Sequence, residues 1–198
     1  MPGRQEIQAA LVLKGMKEIE LDDDNFTARL PRKGMMIDLG AIGKGYAIEQ
    51  CVERLREAGV ENALVHGGTS TVHAMGRAAD GDGWKVAIPN PRDRGETPLR
   101  ILELRDEAMS VSAVWGRTFD VAGKSYGHVL DPRTGFPVEG VELSTVVLPS
   151  ATETDALSTA LLVLGEAGHD KINSLRPGMK TVLVSEQDGV LKIGTRGL

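Results

Sequence analysis

Apolar positions along the chain change period several times, and each change marks an element. Ile7, Ala10, Leu11 and Lys14 stand at helical spacing and predict a short helix over 6–14. A polar Asp22-Asp23-Asp24-Asn25 turn between Glu18–Leu21 and Phe26–Leu30 predicts a hairpin. Met35-Met36-Ile37 reads as a brief apolar strand ending at Asp38. Ile48, Cys51, Val52 and Leu55 share a face of the next helix, Gly59 suits its C′ position, and Ala63–Val65 is the strand that follows. Further strands fall at Trp84–Ile88, Leu99–Leu104, Met109–Ser112, Thr118–Val121, Tyr126–Leu130 and Glu142–Leu148. Ser150 with Glu153 three residues on forms a capping box, opening a helix predicted to stop before Gly165. A short helix near 170–175 and a hairpin of Thr181–Ser185 and Val190–Ile193 close the chain. Strands this unevenly interleaved with helices predict an α+β fold rather than strict βαβ alternation.

Composition narrows the picture. The 198 residues, 41% of them hydrophobic, suffice for a real core, and length favours one domain over 1–198. A net charge of -5 and the absence of any Lys/Arg cluster argue against a nucleic-acid surface. One cysteine, Cys51, rules out an intramolecular disulfide framework or a Cys-rich zinc site; its helix face predicts a buried, inert thiol. No stretch is apolar enough to span a bilayer, and the first fifteen or so residues lack the charged, apolar and small-residue order of a signal peptide. No address is legible.

Four stretches hold chemistry. Asp155 and Thr159 are four apart on a predicted helix, so a carboxylate and a hydroxyl share one face and offer hard oxygen ligands. The plainer alternative is an acidic residue favouring the positive end of its helix, and for the pair alone that alternative is the stronger. Gly40-Ala-Ile-Gly43-Lys44-Gly45 opens a helix and could cradle an anion, with Lys44 adding charge. It matches neither Walker A nor the dinucleotide glycine pattern, so a simple tight connection is equally open. His128, flanked by glycine at a strand end, suits a general base, and Arg133 suits paired bonds to a phosphate. Against this, Asp131 and Thr134 could simply satisfy a tight turn. Gly67-Gly68-Thr69-Ser70 could bring amides against a flat or anionic ligand. His66, His73 and His169 lack ligand spacing and are read as structural.

Taken in order, Asp38-Leu-Gly-Ala-Ile-Gly-Lys-Gly-Tyr46, Gly67-Gly68-Thr69, Tyr126-Gly-His-Val-Leu-Asp-Pro-Arg-Thr-Gly135 and Thr154-Asp-Ala-Leu-Ser-Thr159 resemble the ApbE family of FAD:protein FMN transferases. The resemblance runs from about Met35 to the C-terminus. It implies an ApbE-like, T-fold-related arrangement of mixed sheets with packed helices. It implies that Asp155 and Thr159, with the Gly43 carbonyl, bind Mg²⁺, and that Lys44 lies near the pyrophosphate of FAD, the substrate. It implies that His128 is the base, Asp155 its catalytic companion, that Asp131, Arg133 and Thr134 hold the nucleotide, and that Gly67 and Gly68 wall the flavin pocket. The partner so implied is a flavin-bearing subunit with a target Thr or Ser, and family members are typically extracytoplasmic, membrane-anchored lipoproteins. The chain is expected to begin inside the family's usual sequence, short of the N-terminal portion. Two alternatives stand beside transfer: a Mg²⁺-dependent FAD pyrophosphatase and a non-catalytic flavin-binding protein.

Overall fold

Runs rich in Val, Leu and Thr end in turns at Gly or Asp and fold back on their neighbours, so every strand pairing is antiparallel among the described residues. The computed structural model describes residues 2–93 and 97–198. The elements are α1 (Arg4–Val12), β1 (Glu20–Asp22), β2 (Thr27–Arg29), α2 (Gly43–Glu57), β3 (Ala63–Gly67), β4 (Thr71–Met75), β5 (Trp84–Ile88), β6 (Arg100–Leu104), β7 (Glu107–Ala113), β8 (Thr118–Val121), β9 (Lys124–Gly127), β10 (Val141–Leu148), α3 (Ala151–Asn173), β11 (Lys180–Gln187) and β12 (Val190–Arg196). Six strands form the central sheet in the order β12-β11-β10-β7-β4-β3, and β1-β2, β5-β6 and β8-β9 are separate hairpins. The fold is α+β.

Both faces of the sheet are apolar. Val72, Met109, Leu143, Val147, Val182 and Val184 pack on one side with Ile88, Leu102 and Leu104 of the β5–β6 hairpin. On the other side Val146, Leu148 and Leu183 meet Leu161, Leu162 and Ile172 of α3, while Ile48 and Val52 of α2 meet Met75 and Ala108. Covered on two faces, β4 is buried at all five positions and shows no alternation, which is why the hydrophobic pattern did not reveal it.

Several expectations are corrected. Met35–Ile37 is not a strand: Met36 is 91% and Ile37 50% exposed, and this apolar run finds no ladder partner. Cys51 is exposed. The buried stripe of α2 is Gly45, Ile48 and Val52, and Cys51 lies about 100° around the helix from Val52, off that stripe. The helix breaks at Gly165, as its glycine led us to expect, where φ 62, ψ -154 is not helical; the helical segment beyond the break runs to Asn173 and so begins earlier than the short helix expected near 170–175. The capping box is half formed. Ser150 Oγ accepts from the Glu153 amide at 3.2 Å, but the Glu153 carboxylate turns to Arg176. Glu49 of α2 serves instead, accepting from Ser150 Oγ at 2.9 Å and the Thr152 amide at 2.8 Å. Burial pushes the Glu49 carboxyl up, and the bonds from Thr152 and Ser150 outweigh it, leaving the pKa lowered.

Candidate functional site

The glycine turn and the Asp155 motif meet between α2 and α3. Asp155 is 3% exposed, and its carboxylate accepts from the Gly45 amide at 2.9 Å and the Thr71 hydroxyl at 3.4 Å. Lys44 Nζ stands 3.5 Å from Asp155 Oδ1, on a side chain 45% exposed. One oxygen pair is thus gripped from the core while its ion-pair partner reaches toward solvent. The approach requires Gly45, because a Cβ there would lie 2.2 Å from the Ala151 carbonyl oxygen and 2.7 Å from Asp155 Cβ. Gly43 is the first residue of α2, donating its amide to the Leu39 carbonyl at 2.7 Å.

Beneath these groups runs a ladder of buried hydroxyls that sequence reasoning missed. Ser110 donates to Thr71 at 3.1 Å, and Thr71 donates on to Asp155. Ser110 Oγ also lies 2.9 Å from Thr154 Oγ1. One step along β7, Ser112 Oγ is 3.1 Å from Thr159 Oγ1 and 2.9 Å from Ser158 Oγ. The half-buried Thr159 hydroxyl bonds back to the Asp155 carbonyl at 3.3 Å.

The His128 segment lies at the surface, yet two rulers bring it alongside. Arg133, which pairs with Asp131 through both carboxylate oxygens, also donates to the Val163 carbonyl of α3 at 3.2 Å. Asp155, Thr159 and Val163 are successive four-residue steps on α3, about 12 Å in all. On β7, Ser110 and Ser112 are followed two residues on by Val114, whose carbonyl oxygen a Cβ on Gly127 would meet at 2.7 Å. His128 itself is exposed, with Nδ1 3.1 Å from the Arg117 carbonyl. A carbonyl only accepts, so the neutral ring carries its proton on Nδ1 and leaves a lone pair on Nε2. Thr134 donates its amide to the Asp131 carbonyl, and Lys14, just past the end of α1, reaches the Pro132 carbonyl. The paired bonds from Arg133 hold the Asp131 carboxyl below the usual carboxylate range. None of the contacts above joins His128 directly to Asp155.

On the sheet's other face a cleft of about 500 Å³ is lined by His66, Gly68, Thr69, Thr71, Val86 and Met109, among others. Gly67, the last residue of β3, directly precedes Gly68, and a Cβ on it would meet Ile48 of α2 at 3.2 Å. Thr71 therefore borders the cleft and also holds Asp155.

A six-stranded antiparallel sheet, with the start of α2, a lysine and a buried carboxylate converging at one place, defines an α+β protein whose candidate site lies at the α2–α3 crossing. The chain belongs to the ApbE family, whose model matches residues 1–183. It is 26% identical over 195 residues to the FAD:protein FMN transferase of Escherichia coli (strain K12), covering 97% of this chain and 55% of that protein. It is 35% identical over 148 residues to the same-named protein of Treponema pallidum (strain Nichols), covering 70% of this chain and 41% of the relative. The crystal structure of the ApbE protein from Thermotoga maritima superposes with a TM-score of 0.86 at 31% identity, covering 97% of this chain and 62% of that one. The flavinyl transferase ApbE of Pseudomonas stutzeri gives 0.82 at 29%, covering 98% of this chain and 59% of that one. The chain thus spans about half the length of the curated relatives it matches. No helix among the described residues is long and apolar enough to cross a membrane.

Proposed function

We propose that the chain transfers the FMN half of FAD to a Ser or Thr hydroxyl of a protein acceptor and releases AMP. The observation that carries this reading is the meeting of Lys44, the Gly45 amide and the Asp155 carboxylate in a member of the ApbE family. The Lys44 ammonium, at the positive end of α2, favours the FAD diphosphate, while the Gly43 and Gly45 amides are held by the Leu39 carbonyl and Asp155. A carboxylate beside a diphosphate repels it unless a cation stands between them. The donor set fits magnesium: the Asp155 carboxylate, the Thr159 hydroxyl and the Gly43 carbonyl would hold it. Magnesium takes few carboxylates and keeps positions for phosphate. When bound, Mg²⁺ supplies charge neutralisation at the phosphate oxygens.

In the transfer, the acceptor hydroxyl oxygen attacks the phosphorus of the FMN half. The bond from that phosphorus to the bridging oxygen breaks, and the bridging oxygen leaves with AMP. The hydroxyl proton passes to His128 Nε2, whose lone pair the Arg117 contact leaves available. Lys44 balances charge on the departing phosphate, and the cleft beside Gly67 and Gly68 takes the flavin ring. Positioning and charge account for more of the rate than the base does.

The test is incubation of the purified chain with FAD, Mg²⁺ and a threonine-bearing acceptor peptide, followed by mass spectrometry. The expected product is FMN-modified peptide with an equal amount of AMP. Free FMN and AMP with unmodified peptide would make the chain a pyrophosphatase, and unchanged FAD under all conditions would reject both.

A further inference from the structure

We propose that Ser112 is a positioning residue for the cation site, fixing the Thr159 hydroxyl so that one oxygen lone pair faces the ion. This rests on the cation reading of Asp155 and Thr159 given above. Ser110 and Ser112 are two apart on β7, a step of about 6.6 Å. Asp155 and Thr159 are four apart on α3, a step of about 6 Å. Strand and helix therefore advance together: Ser110 supports Asp155 through Thr71, and Ser112 contacts Thr159 directly.

The hydroxyl inventory explains what Ser112 does. Thr159 Oγ1 has one proton and two lone pairs. Its proton goes to the Asp155 carbonyl at 3.3 Å; Ser112 has one proton to divide between Ser158 Oγ at 2.9 Å and Thr159 Oγ1 at 3.1 Å, and with Ser158 donating to Ser112 that proton takes one Thr159 lone pair. One lone pair then remains, in a direction set by the other two bonds. Without Ser112 the hydroxyl keeps a single restraint and its free pairs swing about the C–O bond.

Ser112 is not needed to satisfy its neighbours. The Ser158 proton can turn instead to the Asp155 carbonyl, 3.1 Å from its Oγ, so removing the Ser112 hydroxyl leaves neither Ser158 nor Thr159 without a partner. Alanine already occupies Ala108 and Ala113 of the same strand. Ser112→Ala should therefore fold, and its cost should fall on the ion.

The experiment titrates Mn²⁺, as a paramagnetic probe of the Mg²⁺ site, into the full chain with saturating FAD and follows bound metal by electron paramagnetic resonance. Ser112→Ala is expected to weaken Mn²⁺ about tenfold or more, with thermal unfolding near that of the unaltered protein. Ser112→Thr, which restores a hydroxyl, should recover most of the affinity. In turnover assays, Ser112→Ala should raise the Mg²⁺ concentration for half-maximal rate and leave kcat at saturating Mg²⁺ little changed. Asp155→Asn should abolish Mn²⁺ binding. Unaltered Mn²⁺ affinity in Ser112→Ala, with binding lost in Asp155→Asn, overturns the role of Ser112 and leaves the cation site standing. Unaltered affinity in Asp155→Asn removes the cation site and this proposal with it. If Ser112→Ala does not fold, Ser112→Cys takes its place: weaker binding than Ser112→Thr supports the proposal, and equal binding overturns it.

Discussion

The two ends of the candidate site are built by opposite means. At one end Asp155 is buried and tied to α2, β4 and α3 by the Gly45 amide, Thr71 and the surrounding hydroxyls. At the other, His128 is exposed, and its segment is held by surface bonds: Arg133 to Asp131 and Val163, Lys14 to Pro132. Surface ion pairs contribute about 1 kcal/mol or less each, whereas contacts between packed helices are costly to disturb. The difference separates two kinds of residue. Near Asp155, chemistry and stability share the same atoms; near His128, they do not.

The largest effect is expected at the helix crossing. Gly45→Ala places a methyl inside the α2–α3 contact, so the helices must part. It should destabilise the protein by about 3 kcal/mol and abolish FMN transfer, read by urea unfolding and the peptide assay. Normal stability and activity in this variant would mean that the tight crossing does not build the site.

Next comes Asp155→Asn. Gly45 donates to Oδ2 and Thr71 to Oδ1, so only one of these bonds persists to the single amide oxygen, and the charge facing Lys44 is lost. Transfer should fall on the order of a hundredfold or more, with stability falling by about 1–3 kcal/mol. His128→Ala should lower the rate about a hundredfold as well, but with unfolding free energy within about 0.5 kcal/mol of the original. A large loss of stability in His128→Ala would erase the contrast between the two ends.

The smallest effect is a pH dependence confined to the buried side. His73 is 3% exposed with both ring nitrogens unpartnered, and burial lowers its pKa, as it does that of His169. A depressed histidine pKa means that the unfolded chain binds more protons below about 6.5, so stability rises with pH there. Stability should therefore be complete above about pH 6.5 and decline as pH falls below it, by at most about 1.4 kcal/mol per pH unit for each histidine. His73→Leu should remove its share of that slope, as measured by urea midpoints between pH 5 and 7.

Much of this arrangement was legible in the chain, because its chemistry sits in short contiguous motifs. Helical spacing alone placed Asp155 and Thr159 on one face, and the glycine turn announced the start of α2. What escaped depends on register. Thr71 lies opposite Ser110 only because β4 pairs with β7, and no local pattern distinguishes such hydroxyls from surface residues. Glu49 caps α3 from a hundred positions earlier, which the Ser150–Glu153 spacing could not foresee. Met35–Ile37 and Cys51 misled in the opposite direction: apolar character did not bring a strand partner to one or burial to the other.

The decisive measurement is the Mg²⁺ dependence of FAD binding, followed by flavin fluorescence in the unaltered protein and in Asp155→Asn. Tightening of FAD by Mg²⁺ in the first and its absence in the second is the expected result. Equal affinity in both proteins, indifferent to Mg²⁺, would contradict the placement of the diphosphate and its cation at Asp155.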